Sequence, residues 1–112
     1  NDTAYATTYS SLRRDNEKFG RMRVITELQS RGVHGDIIEK TIGEVFEGVN
    51  EEHQAREFLH KKRVKQPTNP KEAARVFRTL ARAGFRTRTA IAILKKWNVD
   101  DDVLSALETE EN

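Results

Sequence analysis

The chain of 112 residues contains no cysteine, a single tryptophan and two prolines. Without cysteine there is no disulfide framework, no thiolate metal site and no thiol nucleophile, and an intracellular, cytoplasmic location is expected. No run approaches the apolar length of a membrane span or a secretory signal, so no membrane association is expected. Glycine-rich phosphate loops are missing, and so is any Ser, His and Asp arrangement with catalytic spacing. The three histidines, His34, His53 and His60, are too few for a structural zinc site, although His53 and His60 lie two turns apart on one helix face. No catalytic residue, metal or cofactor is therefore expected. A chain this short holds one small domain or two very small units, which leaves little room for a deep cleft. It begins with Asn1, so further sequence upstream is the expectation.

Charge is what the chain has in abundance, and it is segregated. Residues 56–96 carry thirteen basic and two acidic groups, whereas residues 1–55 carry seven basic and ten acidic, and residues 97–112 carry six acids alone. A basic block of that size raises the local potential toward polyanions and acidic protein surfaces, although such blocks are often merely solvated.

Apolar residues recur at three and four residue steps along nearly the whole chain, and β-type alternation is nowhere sustained. The reading is all-α, with helices over 3–17, 20–31, 35–48, 51–65, 70–83 and 87–97 and a short seventh after Asp102. Asn69-Pro70-Lys71-Glu72 supplies a cap, a first-turn proline and a glutamate three residues after the cap, and Gly84 supplies the left-handed stop. A shift of 52 residues lays "VITELQSRGV" (24–33) on "VFRTLARAGF" (76–85). Val24 meets Val76, Ile25 meets Phe77, Leu28 meets Leu80, Gly32 meets Gly84, and Val33 meets Phe85; farther on, Ile38 meets Ala90 and Ile42 meets Leu94. A matching glycine followed by a large apolar residue fixes how one helix turns into the next, which makes this register more specific than amphipathicity alone. Two tandem three-helix units follow, at 1–49 and at 50–112 with an acidic C-terminal tail, packed against each other as a monomer.

Within the basic block, Lys71, Arg75, Arg78 and Arg82 fall in an arc of about 60° on the fifth helix, opposite Ala73, Val76, Phe77, Leu80 and Gly84. That helix should bury one face and present a cationic ridge on the other. Arg86 and Arg88 extend the ridge, and Lys61, Lys62, Arg63 and Lys65 could flank it. Such residues suit phosphate contacts better than base discrimination, because readers such as Asn and Gln are lacking at the exposed positions of the sixth helix. Tyr5 and Tyr9 are read as core or as a junction with a further repeat, on a face without a basic groove. Glu51 and Glu52 are read as first-turn acids favoured by the helix dipole. Arg13 and Arg23 lie outside the ridge.

Asp2, Tyr5-Ala6, Tyr9, Phe19-Gly20, Ile25, Glu27-Leu28 and Arg31-Gly32-Val33, with "FRTLARAGF" one repeat later, resemble the RecX regulators of the RecA recombinase. The resemblance covers the second and third of that family's three-helix repeats and leaves the first absent. It implies a non-enzymatic protein that binds RecA filaments on single-stranded or duplex DNA and restrains recombination and the damage response. The alternatives from the residues alone are a stand-alone helical nucleic-acid-binding module and a protein-interaction adaptor that uses the ridge.

Overall fold

Four of the helices start where a side chain takes up a free amide group. In the computed structural model, which describes residues 1–111 in backbone and 1–110 in side chain, Asn1 accepts from the Ala4 amide (2.7 Å), Asn50 from His53 (2.9 Å) and Asn69 from Glu72 (2.8 Å). His34 does the same through Nδ1 toward Asp36 at 3.2 Å. Among the described residues there are seven helices and no strand. They are α1 (Asp2–Asp15), α2 (Arg21–Ser30), α3 (Gly35–Val45), α4 (Glu51–Lys61), α5 (Pro70–Arg82), α6 (Thr87–Lys96) and α7 (Asp101–Glu111). The seventh helix is longer than its expected short piece, because Leu104 and Leu107 are buried and hold three turns in place. α4 stops at Lys61 instead of reaching residue 65. Arg63 takes a left-handed conformation (φ 57°) there, a stop that no glycine announces.

The two units close their second helices in the same way. Gly32 (φ 80°) and Gly84 (φ 97°) are left-handed, and the following amides, Val33 and Phe85, each donate to a carbonyl five residues back, Leu28 and Leu80, at 3.1 Å. Most of the repeat register is also a register of burial: Val24 and Val76, Leu28 and Leu80, Val33 and Phe85, Ile38 and Ala90, and Ile42 and Leu94 are all buried. Ile25, however, is half-buried opposite buried Phe77, and Gly32 is exposed opposite buried Gly84. Helices α1, α2 and α3 pack on one another, α6 packs against α4 and α5, and α7 lies across α5 and α6.

One apolar cluster runs through both units. At the junction Phe58 stands between Phe19 and Phe85, with ring centroids 6.0 and 5.9 Å apart. There the Gly20 amide donates to the Ala83 carbonyl (2.9 Å) and the Met22 amide to the Gly84 carbonyl (3.2 Å). A Cβ on Gly84 would lie 2.3 Å from the Arg23 nitrogen, and one on Gly20 would lie 2.5 Å from the Gly84 oxygen. Buried Gln54 adds a clasp, donating to the carbonyls of Arg14 (2.7 Å) and Phe19 (3.3 Å). The outcome is elongated, 48 × 27 × 22 Å with a radius of gyration of 15.1 Å, against about 13 Å for a compact chain of this length.

Two stability measurements check this packing. Gly32 and Gly84 share the left-handed penalty, but a Cβ at Gly32 meets nothing within 4 Å. Gly32→Ala should therefore lower the unfolding free energy by about 1 kcal/mol. Gly84→Ala should lower it by about 3 kcal/mol or more, because backbone must also move aside. Ser10 is fully buried and its hydroxyl has no hydrogen-bond partner among the described residues. Ser10→Ala should raise stability in urea titrations by about 1 kcal/mol, since it removes an unsatisfied group and improves helix propensity.

Candidate nucleic-acid interface

The buried face of α5, formed by Ala73, Val76, Phe77 and Leu80, is what its neighbours α6 and α7 cover. Lys71, Arg75, Arg78 and Arg82 are all exposed, on the opposite side of the helix. Among the described residues none of the four forms an ion pair, and neither does exposed Arg88 in the first turn of α6. The pairs Lys71/Arg75 and Arg78/Arg82 are like charges at i,i+4, each unfavourable to the helix by about 0.2–0.5 kcal/mol. The ridge is thus, among the described residues, an array of cations that form no ion pair, on a helix capped by Asn69.

The other candidates are placed differently. Arg86, at the cap position of α6, is exposed but paired: its Nε donates to Glu51 Oε1 (2.9 Å) and its amide to Glu51 Oε2 (2.8 Å), which also accepts from Thr89 Oγ1 (2.7 Å). Glu52 takes Lys96 (2.7 Å) and Arg56 (3.0 Å). Glu51 and Glu52 therefore do more than face their own helix dipole; they strap α4 to α6 across more than thirty residues of chain. Lys61 is drawn across the junction, where Nζ donates to the Asn16 carbonyl. Lys62 stands 6.0 Å from the centroid of the Phe58 ring, and Lys65 is exposed in the link to α5.

Burial raises the Glu51 pKa, but hydrogen bonds from the Arg86 amide, Thr89 and the Arg86 guanidinium outweigh it and hold the carboxyl below its ordinary value. A carboxyl with a depressed folded-state pKa contributes stability above its unfolded pKa and loses it as pH falls through the folded value. Acid titration below about pH 4.5 should therefore destabilise the wild type. Glu51→Gln should be less stable by about 2 kcal/mol at neutral pH and show a shallower acid dependence in urea unfolding.

A second cluster lies on the first unit. Glu27 is pushed up by burial and pulled further down by Arg13, Arg23 and Tyr9, which donate to it at 2.8, 3.2 and 3.0 Å. Arg23 also lies 4.1 Å from the Phe19 ring centroid and donates to the Arg82 carbonyl at 3.1 Å. Arg13 and Arg23 are accordingly structural, unlike the free cations of the ridge. Tyr5 is 42% exposed, so the core reading fails for it. It stacks on half-buried Tyr9 at 5.9 Å, and Arg31 spans the pair, 4.5 Å over the Tyr9 ring and donating to the Tyr5 hydroxyl at 3.2 Å. The face read as lacking a basic groove carries Arg13 and Arg31 beside the tyrosines. Among the described residues no three His, Asp or Glu side chains converge as metal ligands would.

The family described as "RecX, second three-helix domain" matches residues 1–42, the segment that holds α1, α2 and most of α3. The Regulatory protein RecX of Chromobacterium violaceum is 34% identical over 101 residues, which is 90% of this chain and 62% of that protein. The chain thus spans about three fifths of that relative's length. No solved structure matches. With the repeated glycine turn, the all-helical tandem architecture and a relative aligned across both units, the chain is similar to the RecX family of regulatory proteins.

Proposed function

We propose that this chain is a non-catalytic regulator that binds a RecA-type recombinase filament on DNA and restrains its activity, with the α5 ridge as the contact to phosphate. The observation that carries the reading is the row Lys71, Arg75, Arg78 and Arg82, exposed on one helix face and free of ion pairs among the described residues. A family of regulatory proteins supplies the role; the ridge supplies the means. Arginine presents a planar fork that suits phosphate oxygens, and a row of such forks tracks a backbone without reading bases. Arg88 extends the contact onto α6. A protein that binds this way needs no cofactor, and its affinity is set mainly by counterion release.

Charge reversal tests the assignment. Arg78→Glu with Arg82→Glu should leave the circular dichroism spectrum unchanged, because both side chains point away from buried Phe77 and Leu80. Binding to recombinase-coated strands should fall sharply, and each neutralised contact should lower the salt slope on naked duplex by about 0.9, or about 0.7 on single strands. Lys40→Glu, at an exposed position on α3, is the matched control and should change little. Unaltered affinity and slope in the folded double variant would return the ridge to solvated surface. Loss of filament binding with an unchanged slope on naked DNA would instead make the ridge a docking face for the recombinase itself.

A further inference from the structure

Across the junction between the two units runs a shallow cleft of about 530 Å³. Lys18 enters it from the turn after α1, and His53, Arg56, Glu57, His60 and Lys61 line it from α4. Three permanent cations face one carboxylate. Lys18 is left-handed (φ 61°), a conformation that lysine seldom takes, and it carries the ammonium to within 3.7 Å of Glu57. His53 Nε2 approaches the other oxygen of the same carboxylate at 3.3 Å. Arg56 is tied to Glu52, which also holds Lys96 of α6. Lys61 reaches the Asn16 carbonyl, and no ion pair involves His60 among the described residues.

We infer that this cleft is a second, proton-sensitive binding site for a backbone phosphate of a nucleic-acid strand, one that engages both units at once. The inference rests on the nucleic-acid reading above for its class of ligand and on none of the ridge residues. Its physical basis is the sharing of Glu57. While His53 is neutral, Glu57 draws on Lys18, and an incoming phosphate must compete with that carboxylate. Imidazole is the side chain whose charge changes between about pH 5 and 8. A proton taken up at His53 gives Glu57 a partner on its own helix and releases Lys18 toward the phosphate, while protonated His60 adds a donor beside Lys61. The alkyl stems and imidazole faces between the charges form a floor on which a sugar or base can lie. Because Lys18 belongs to the first unit and His53, His60 and Lys61 to the second, an occupied cleft fixes the two units relative to each other.

The ridge contains only Arg and Lys, so pH dependence between about 8 and 5.8 separates the two sites. The probe is a fluorescein-labelled oligothymidine of about 20 nucleotides at constant ionic strength, read by anisotropy. Wild-type binding should tighten roughly 3- to 10-fold on acidification, and His53→Gln with His60→Gln should remove that tightening. His34→Gln, at the exposed cap of α3, should retain it. Glu57→Gln should tighten binding at about pH 8, roughly threefold, since it frees Lys18 without a proton; a residue with only a structural role would not produce a gain. Arg78→Glu with Arg82→Glu should weaken binding at both pH values and keep the ratio. If that ridge variant binds as wild type while the acid tightening persists and depends on His53 and His60, the ridge reading fails and the cleft stands. Equal wild-type affinity at the two pH values, full tightening in the double histidine variant, or no gain in Glu57→Gln would each overturn the cleft. Histidine NMR resonances supply the last arm. If inorganic phosphate moves His53 and His60 as far as the oligonucleotide does at equal phosphate concentration, the site takes a free anion and the strand assignment falls.

Discussion

Where Gly20 and Gly84 cross, two main chains pass closer than any pair of side chains would permit. The hydrogen bonds exchanged there, from the amides of Gly20 and Met22 to the carbonyls of Ala83 and Gly84, join the start of one helix to the end of another sixty residues away. That crossing brings Phe19, Phe58 and Phe85 into one stack, sets Gln54 beneath two carbonyls of the other unit, and opens the cleft between Lys18 and α4. Neither unit has enough interior of its own, so the shared seam makes the core continuous. The position and exposure of α5 follow from it.

The tandem fold was legible because its determinants are local or periodic. Asn69, Pro70 and Glu72 mark the start of α5 within four residues, Gly84 marks its end, and the 52-residue register pairs positions most of which prove buried in both units. The ridge was legible for the same reason, since four residues on one helix carry their geometry in their spacing. Contacts between distant segments were not. Arg86 reads as one more cation until Glu51 is brought to it from 35 residues upstream, and Lys61 reads as a flank until the Asn16 carbonyl is placed beside it. The end of α4 was missed because Arg63 adopts a conformation that glycine normally signals.

Arginine in this molecule has two kinds of employment. On the first unit Arg13 and Arg23 converge on Glu27 and lie over the Phe19 ring, so their charge is spent on holding α1 to α2 and the first unit to the second. On α5 the same side chain is left to solvent. A count of basic residues cannot tell these apart; the presence or absence of a carboxylate within reach can.

The placement of α7 gives the second unit an electrical direction. Its apolar residues Leu104 and Leu107 are turned inward, while Asp101, Asp102, Glu108 and Glu110 are exposed. The ridge stands on the far side of α5 from the face that α7 covers. Positive and negative charge are therefore held on opposite sides of the directly packed α5 and α7, which amounts to a local dipole. In the field of a polyanion such a body experiences a torque before it experiences contact. The torque favours an orientation in which α5 leads and α7 trails. Rotational searching, which slows most associations between specific patches, is shortened, and added salt removes the advantage by shrinking the distance over which the field is felt.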